Sequence, residues 1–339
     1  MREALAWIKR AVTDDRTMHD DHEGHLSIDN TEFVVSTSDS LVSSGREHKW
    51  RLGRVDNRSL PIFSSIRCNC SDNIPFPNLV DMMRRALPEQ FWNRRAAVLQ
   101  QWDSVARNYS KSSARIPWKD KVSKAVFRGR IRVSSYVKEK ALFDSMCNTT
   151  GRSGLWHIAH PEENDRLAEG PETSSQLHPS NFLDVEVQGT CGKRIYFNKR
   201  SSFSDQDAYK YTIYAEGNKL WADRLTMQLF GSSTIMKQET PCGQFFEPLL
   251  KPYKHYIPVD FFFRDMIRQT QWARQNDEQA QLIVKNAKDF AFDYLTLDAI
   301  KTYVRVVLRE YSSLLKNRNF DIHPGAFRYY PLHTATSTV

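Results

Sequence analysis

An arginine and glycine pattern after a buried strand is the first feature of this sequence that could perform chemistry. Residues 125–127 are typical of a short strand, and Arg128, Gly129 and Arg130 follow it. A glycine lets the backbone approach an anion closely, and an arginine offers two parallel donors to a phosphate. The pattern predicts a strand that enters a phosphate-binding glycine turn, although short Arg-Gly turns also occur without a ligand.

The same arrangement occurs a second time further along the chain. Residues 209–214 predict a strand, a glycine turn follows, and a helix with an arginine in its first turns comes next. The candidate binding residues of this unit are Gly217, Asn218, Trp221 and Arg224. Ligands bind at the carboxyl ends of strands in open α/β sheets, so the two units together fit one nucleotide diphosphate. The alternative is that Gly217 only makes a turn and Trp221 only fills a core.

A third candidate is the dense run of aromatic residues and prolines at residues 245–259. Such a run predicts a rigid loop that enters a buried strand. It contains Phe246 and His255, and the histidine either contacts a ligand or serves as a packing residue with satisfied hydrogen bonds.

Patterns of metal ligands are weak in this sequence. His19, His22 and His25 recur at every third position of a polar, acidic segment, which is also typical of a solvated loop. No cysteine or histidine pair has zinc spacing, and an odd count of five cysteines leaves at least one thiol unpaired within the chain. We therefore expect no bound metal and no cofactor.

The elements that must position these residues alternate between strands and helices. Predicted strands lie at residues 33–35, 60–63, 125–127, 209–214, 233–236 and 256–259. Predicted helices lie at residues 89–108, 137–146, 221–230, 267–275, 277–294 and 298–315. Repetition of strand, turn and helix predicts an α/β fold with a parallel sheet covered by helices.

Composition limits the class of protein. The 339 residues are 40% hydrophobic and 26% charged, which excludes a disordered chain, and the length suggests about two domains. The net charge of +8 favours some anionic partner without naming it. Residues 256–263, the most apolar stretch, are far shorter than the ~20 residues of a membrane span.

The sequence gives opposing indications about entry into the secretory pathway. Lys9 and Arg10 interrupt the apolar start of the chain, so we expect no signal peptide in the sequence as written. Four acceptor motifs for N-linked glycosylation nevertheless favour a lumenal or secreted glycoprotein; they begin at Asn57, Asn69, Asn108 and Asn148.

Six segments in a characteristic order and spacing carry a family resemblance. They are residues 71–77, 125–130, 184–191, 209–224, 245–259 and 272–290. Together they make the chain, from about residue 56 to residue 315, similar to glycosyltransferase family 90, the protein O-glucosyltransferases and fungal capsule-associated xylosyltransferases. Residues 245–259, with the sequence FFEPLLKPYKHYIPV, resemble the most recognisable block of that family.

The resemblance implies a GT-B architecture, in which two Rossmann-like domains face a cleft. It implies inverting, metal-independent transfer of glucose or xylose from a UDP-sugar to a hydroxyl of a protein or glycan. Arg128 and Arg224 would then face one cleft and hold the diphosphate. Asp56 best matches the family's general base, with Asp72 the next candidate, although Asp56 also fits a surface turn.

The resemblance also implies an organisation and a location. Residues 113–295 would form the donor-binding domain and residues 1–112 the acceptor-side domain, and residues 296–339 would form a returning helix and tail. The expected location is the endoplasmic reticulum or Golgi lumen, or outside the cell, and we expect no membrane span and no nucleic-acid partner.

Three departures from the family pattern favour weakened catalysis. The family usually has serine at the position of Ala222, often has glutamate at the position of Gln244, and commonly has serine at the position of Arg130. The alternative function is therefore a non-catalytic relative that binds polyanions or glycans through basic runs such as residues 119–124.

Overall fold

The structure is a computed structural model, and it describes part of the 339-residue chain. The described residues are 34–35, 62–68, 73–77, 101–131, 150–161, 178–191, 194–196, 203–217, 222 and 224–314. Asp56, Asp72, Asn218, Trp221, the three histidines of the polar segment and the predicted helix at residues 137–146 lie outside this set.

The described elements alternate between strands and helices, as the sequence predicts. The strands are β1 (Val34–Val35), β2 (Ile62–Ser64), β3 (Arg67–Cys68), β4 (Ile74–Pro75), β5 (Val122–Arg130), β6 (Leu183–Cys191), β7 (Arg194–Tyr196), β8 (Tyr209–Tyr214), β9 (Thr234–Gln238), β10 (Cys242–Gly243) and β11 (Ile257–Val259). The α-helices are α1 (Trp102–Ser113), α2 (Gly151–Ala159), α3 (Phe203–Gln206), α4 (Arg224–Phe230), α5 (Met266–Gln275), α6 (Asp277–Tyr294) and α7 (Leu297–Leu314).

A six-stranded sheet in the order β11-β9-β8-β5-β6-β7 forms the centre of the described structure. Every neighbouring pair is parallel except β6 and β7, which are antiparallel. Strands of this kind are buried on both faces, and accordingly the last four residues of β8 and all five residues of β9 are buried. A smaller parallel sheet, in the order β1-β2-β4, precedes it in the chain.

The direction of chain winding reverses between β5 and β8. From β5 the chain passes to β6 on one side, and from β8 it passes to β9 and then β11 on the other side. The carboxyl ends of these parallel strands lie on one edge of the sheet. The reversal point on that edge is where open α/β sheets bind ligands.

The last helix packs against the first sheet. Its buried stripe of Ile300, Val304, Leu308 and Tyr311 belongs to a hydrophobic cluster that includes Phe63 of β2. The Tyr311 and Phe63 rings meet edge to face with centroids 5.2 Å apart. Helix α7 thus connects the end of the described chain to its beginning, whereas the predicted domain boundaries remain predictions.

A disulfide joins two distant parts of the sequence. Cys68 of β3 is bonded to Cys242 of β10, 174 residues later, and the two strands pair antiparallel around the bond. Cys191 is also disulfide-bonded. Disulfides persist mainly in oxidising compartments. Among the described helices, none combines the length and the apolar character that a membrane crossing requires.

Most element predictions are confirmed, but one at the candidate site is wrong. Strand β8 and helix α6 have the predicted bounds, α5 begins one residue earlier than predicted, and α7 begins and ends one residue earlier than predicted. Residues 128–130 do not form a glycine turn, because the pairing of β5 with β6 continues to Arg130 and places Gly129 opposite Val187. Helix α4 begins at Arg224 and not at the predicted residue 221.

Candidate functional site at the carboxyl edge of the sheet

Two buried arginines converge on one aromatic ring at the reversal point. The guanidinium carbon of Arg224 lies 4.5 Å from the centroid of the Phe127 ring, and that of Arg152 lies 5.4 Å from it. Each arginine comes from the start of a helix, since Arg224 opens α4 and Arg152 is the second residue of α2. Both residues are only 8% exposed, so their charges lie in a low-dielectric setting.

The same arginines bind the backbone where the central strands end. Both terminal nitrogens of Arg224 donate to the carbonyl oxygen of Arg128 at 3.3 Å. Arg152 donates to the carbonyl oxygens of Arg130 at 3.4 Å and of Ala215 at 3.3 Å. These contacts fix both guanidinium groups against β5, and they fix Arg152 also against the residue that follows β8.

Gly129 permits the close approach of Arg224. A Cβ at this position would lie 3.0 Å from carbons of the Phe127 ring and 3.2 Å from a terminal nitrogen of Arg224. Any side chain would therefore displace the ring or the guanidinium group. The glycine is needed for space inside a strand, not for a turn.

Arg128 does not join the arginine pair. Successive strand residues point to opposite faces, so the Arg128 side chain leaves β5 away from Phe127. Its guanidinium group instead forms an ion pair of 2.6 Å with Asp184 of β6, whose other oxygen accepts a hydrogen bond from Tyr209. The prediction that Arg128 and Arg224 face one cleft is wrong, and Arg128 contributes its carbonyl oxygen only.

The turn after β8 is buried beside this pair. Glu216 is fully buried, and Gly217 is also buried. The Glu216 N–H donates to the side-chain oxygen of Gln238 at 2.8 Å. The glycine therefore lies on the carboxyl edge as predicted, although its predicted neighbours Asn218 and Trp221 are outside the described residues.

A polar network supports the start of α4. The Ala222 N–H donates to the Tyr214 hydroxyl at 3.0 Å, and the Gln244 amide donates to the Ala222 carbonyl at 3.4 Å. Burial and then the Glu247 charge raise the pKa of Tyr214 well above its ordinary value, so the phenol stays neutral. The ammonium of Lys237 pairs with Glu247 at 3.4 Å and lies over the Tyr214 ring. These contacts hold Ala222, two residues before Arg224, in place.

Phe246 and His255 are packing residues in this structure. Phe246 is 1% exposed and packs among aromatic rings of the core. The Nδ1 of His255 accepts a hydrogen bond from the Lys251 N–H at 3.0 Å, and its ring lies 5.2 Å from Phe290. Burial, followed by the charges of two nearby lysines, lowers the pKa of His255. His255 precedes β11, at the end of the strand opposite the arginine pair.

The described residues supply cations and hydrogen-bond donors, and no metal cluster. Within the described ranges no group of three or more histidine, cysteine, aspartate or glutamate side chains could hold a metal ion. Two guanidinium groups at a reversal point can bind a diphosphate and stabilise the charge that develops on it as a leaving group.

Arg152 is the site residue that the sequence reading missed. No helix is predicted between residues 146 and 221, whereas the structure has α2 at Gly151–Ala159. A glycine immediately precedes the arginine, and in the structure it opens α2 with a positive φ of 59°, but this local feature does not indicate the contact with Phe127.

Sequence comparisons give consistent results. The family model described as glycosyl transferase family 90 matches residues 27–328. Protein O-glucosyltransferase 3 of Mus musculus is 30% identical over 195 residues, 58% of this chain and 33% of the relative. Protein O-glucosyltransferase 1 of Rattus norvegicus is 27% identical over 264 residues, 76% of this chain and 58% of the relative. The chain therefore matches between one third and about three fifths of the length of these relatives.

A comparison with solved structures gives a weaker likeness. Anabaena Alr3699/HepE in complex with UDP matches 60% of this chain and 53% of its own, with a TM-score of 0.32 and 8% sequence identity.

Proposed function

The chain belongs to glycosyl transferase family 90, and we propose that it transfers a sugar from a UDP-sugar to a hydroxyl of a protein or glycan. Glucose is the first candidate sugar, because curated relatives are named protein O-glucosyltransferases, and xylose is the second. The observation that carries the proposal is the convergence of Arg152 and Arg224 on Phe127 at the reversal point of the sheet.

The arginine pair gives the chemical step its electrostatic support. As the bond between sugar and diphosphate breaks, negative charge accumulates on the β-phosphate. Two preorganised guanidinium groups would stabilise that charge in the role that a metal ion has in other enzymes. We therefore propose metal-independent transfer with no cofactor, in which Gly129 leaves room for the Arg224 guanidinium group and Gly217 leaves room for the donor.

The acceptor must lose a proton as it attacks the anomeric carbon. We propose Asp56 as the general base, with Asp72 the next candidate, and direct attack would invert the anomeric centre. The base would belong to an acceptor-side domain at residues 1–112 that faces the donor domain at residues 113–295 in a GT-B arrangement. The packing of α7 against β2 supports a helix that returns to the first domain.

The cystines support an oxidising compartment for this proposed activity. The bond between Cys68 and Cys242 and the bonded state of Cys191 support an oxidising lumen, such as the endoplasmic reticulum or Golgi, or an extracellular location.

A hydrolysis screen tests the proposed activity. UDP-glucose, UDP-xylose and UDP-galactose are each incubated with the chain, and released UDP is measured with and without a chelator. We expect release from UDP-glucose or UDP-xylose that survives chelation. Asp56→Asn should reduce transfer to an acceptor by about 10²- to 10⁴-fold and leave UDP affinity intact.

The same screen separates the alternatives. Retained transfer in Asp56→Asn would move the base to another residue, with Asp72→Asn the next variant. UDP binding without release from any donor would favour a non-catalytic relative. Salt-sensitive binding of heparin with no UDP binding would replace the donor-site proposal with the polyanion-binding function.

A further inference from the structure

The side chain of Gln238 joins two loops at the carboxyl edge. Gln238 is the last residue of β9, between β8 and β11, and it is fully buried. Its side-chain oxygen accepts from the Glu216 N–H at 2.8 Å, and its side-chain nitrogen donates to the Phe261 carbonyl at 2.7 Å. The partners themselves fix the orientation of the amide, because an N–H must meet the oxygen and a carbonyl must meet the NH₂ group.

Both partners lie just beyond the ends of their strands. Strand β8 ends at Tyr214 and β11 ends at Val259, so the ladder hydrogen bonds have stopped before Glu216 and Phe261 are reached. The Gln238 side-chain amide thus adds one hydrogen bond to each neighbouring loop, just beyond the last backbone hydrogen bonds of the sheet.

Each loop also has a second restraint. On the β8 side, Arg152 donates to the carbonyl of Ala215, the residue before Glu216. On the β11 side, Asp260 accepts from the Phe262 N–H at 2.9 Å, and buried Phe263 takes a positive φ of 60° that a non-glycine residue rarely adopts. A conformation of that kind persists only where the surroundings hold it.

We propose that Gln238 is a positioning residue for the donor: its amide holds the Glu216–Gly217 turn in place against the β11 loop, and the turn in turn sets the Arg152 contact at Ala215. This inference rests on the proposed function, and Gln238 itself does not contact the donor. The neutral amide is needed because one end must accept and the other must donate.

Two variants of Gln238 separate positioning from general stability. Gln238→Met keeps the volume and removes both hydrogen bonds, and we expect about a tenfold weaker UDP affinity in calorimetry. Gln238→Glu keeps the acceptor for Glu216 but lacks the donor while ionised. Its protonated form donates to the Phe261 carbonyl, so its UDP affinity relative to the parent should recover as the pH is lowered, whereas Gln238→Met should show no recovery.

Gln206→Met is the matched control. Gln206 is a buried glutamine in α3, at the amino end of β8 and therefore at the opposite edge of the sheet. We expect this variant to lose stability without a change in UDP affinity. Hydrogen exchange provides a readout that needs no ligand: the Glu216 amide should exchange faster in Gln238→Met and at the parent rate in Gln206→Met.

The outcomes are distinct. Parent-like UDP affinity and Glu216 exchange in Gln238→Met would overturn the inference and leave the proposed function standing. Equal weakening of UDP binding by Gln206→Met would also overturn it, because the effect would then be global. A parent chain that binds no UDP would overturn the donor site itself and, with it, any donor role for Gln238, even where Glu216 exchange responds as expected.

Discussion

Gln244 and Ala222 are in contact, although 22 residues separate them in the sequence. The Gln244 amide nitrogen donates to the Ala222 carbonyl at 3.4 Å, and both residues are buried. They are also two of the three positions where this sequence departs from the pattern that it otherwise resembles, with alanine for serine and glutamine for glutamate. The two departures are therefore neighbours beneath the start of α4. A change in hydrogen bonding at one position can offset a change at the other.

A double-mutant cycle tests this coupling. Gln244→Glu alone places a carboxylate against a carbonyl and should lower the free energy of unfolding by about 1–3 kcal/mol. Ala222→Ser adds a hydroxyl donor, so the double variant should recover about 1 kcal/mol of that loss. Urea unfolding of the four proteins measures the coupling, and strictly additive effects would show that the two positions are independent.

We expect any side chain at position 129 to disturb the candidate site. Gly129→Ala should displace the Arg224 guanidinium group, because the new Cβ would lie 3.2 Å from its terminal nitrogen, and UDP binding should weaken about tenfold.

Gly231→Ala is the control for that glycine variant. A Cβ there meets the Gln228 carbonyl at 3.0 Å, just past the end of α4 and before β9 begins. We expect lower stability and unchanged UDP affinity in calorimetry. Equal UDP affinity in Gly129→Ala and Gly231→Ala would show that UDP binding does not require the space at Gly129.

A buried polar cluster at the opposite edge of the sheet predicts a pH dependence of stability. Burial raises the pKa of Asp207 from its ordinary 3.8 to about 6, against the opposing charge of Lys121 and a hydrogen bond from Tyr109. Burial also lowers the pKa of Lys121 to about 8, and its ammonium donates to the Ser232 hydroxyl at 2.9 Å.

The sign of the Asp207 effect follows from the raised pKa. The folded state binds the proton more tightly than the unfolded state, so the contribution to stability is fully present below pH 3.8 and is lost as the pH rises through about 6. Relative to Asp207→Asn, the parent should lose up to about 3 kcal/mol between pH 4 and pH 7. Chemical unfolding across that range measures it, and a pH-independent difference between the two proteins would contradict the prediction.

Much of the fold could be predicted from sequence because its signals are local. The bounds of α6 follow from a long periodic stripe after Asn276, and β8 is a compact β-prone run between polar segments. Residues 128–130 could not be read correctly, because their extended conformation depends on pairing with β6, which lies more than 50 residues later.

The candidate site was predictable only in part. The importance of Arg224 and Gly217 follows from their positions after strands. The role of Arg152 depends on the approach of α2 to Phe127, and the diversion of Arg128 depends on Asp184 of a neighbouring strand. Both are tertiary contacts, and neither has a counterpart in local spacing.

The central claim is that Arg152 and Arg224 hold the diphosphate of the donor. Calorimetric titration with UDP tests it in the parent, Arg152→Ala, Arg224→Ala and Arg128→Ala, with exposed Arg107→Ala as a surface control. The account predicts that Arg152→Ala and Arg224→Ala each weaken binding by about 1.5–3 kcal/mol, whereas Arg128→Ala and Arg107→Ala bind UDP as the parent does. Parent-like affinity in folded Arg152→Ala and Arg224→Ala, or loss of binding in Arg128→Ala alone, would contradict it.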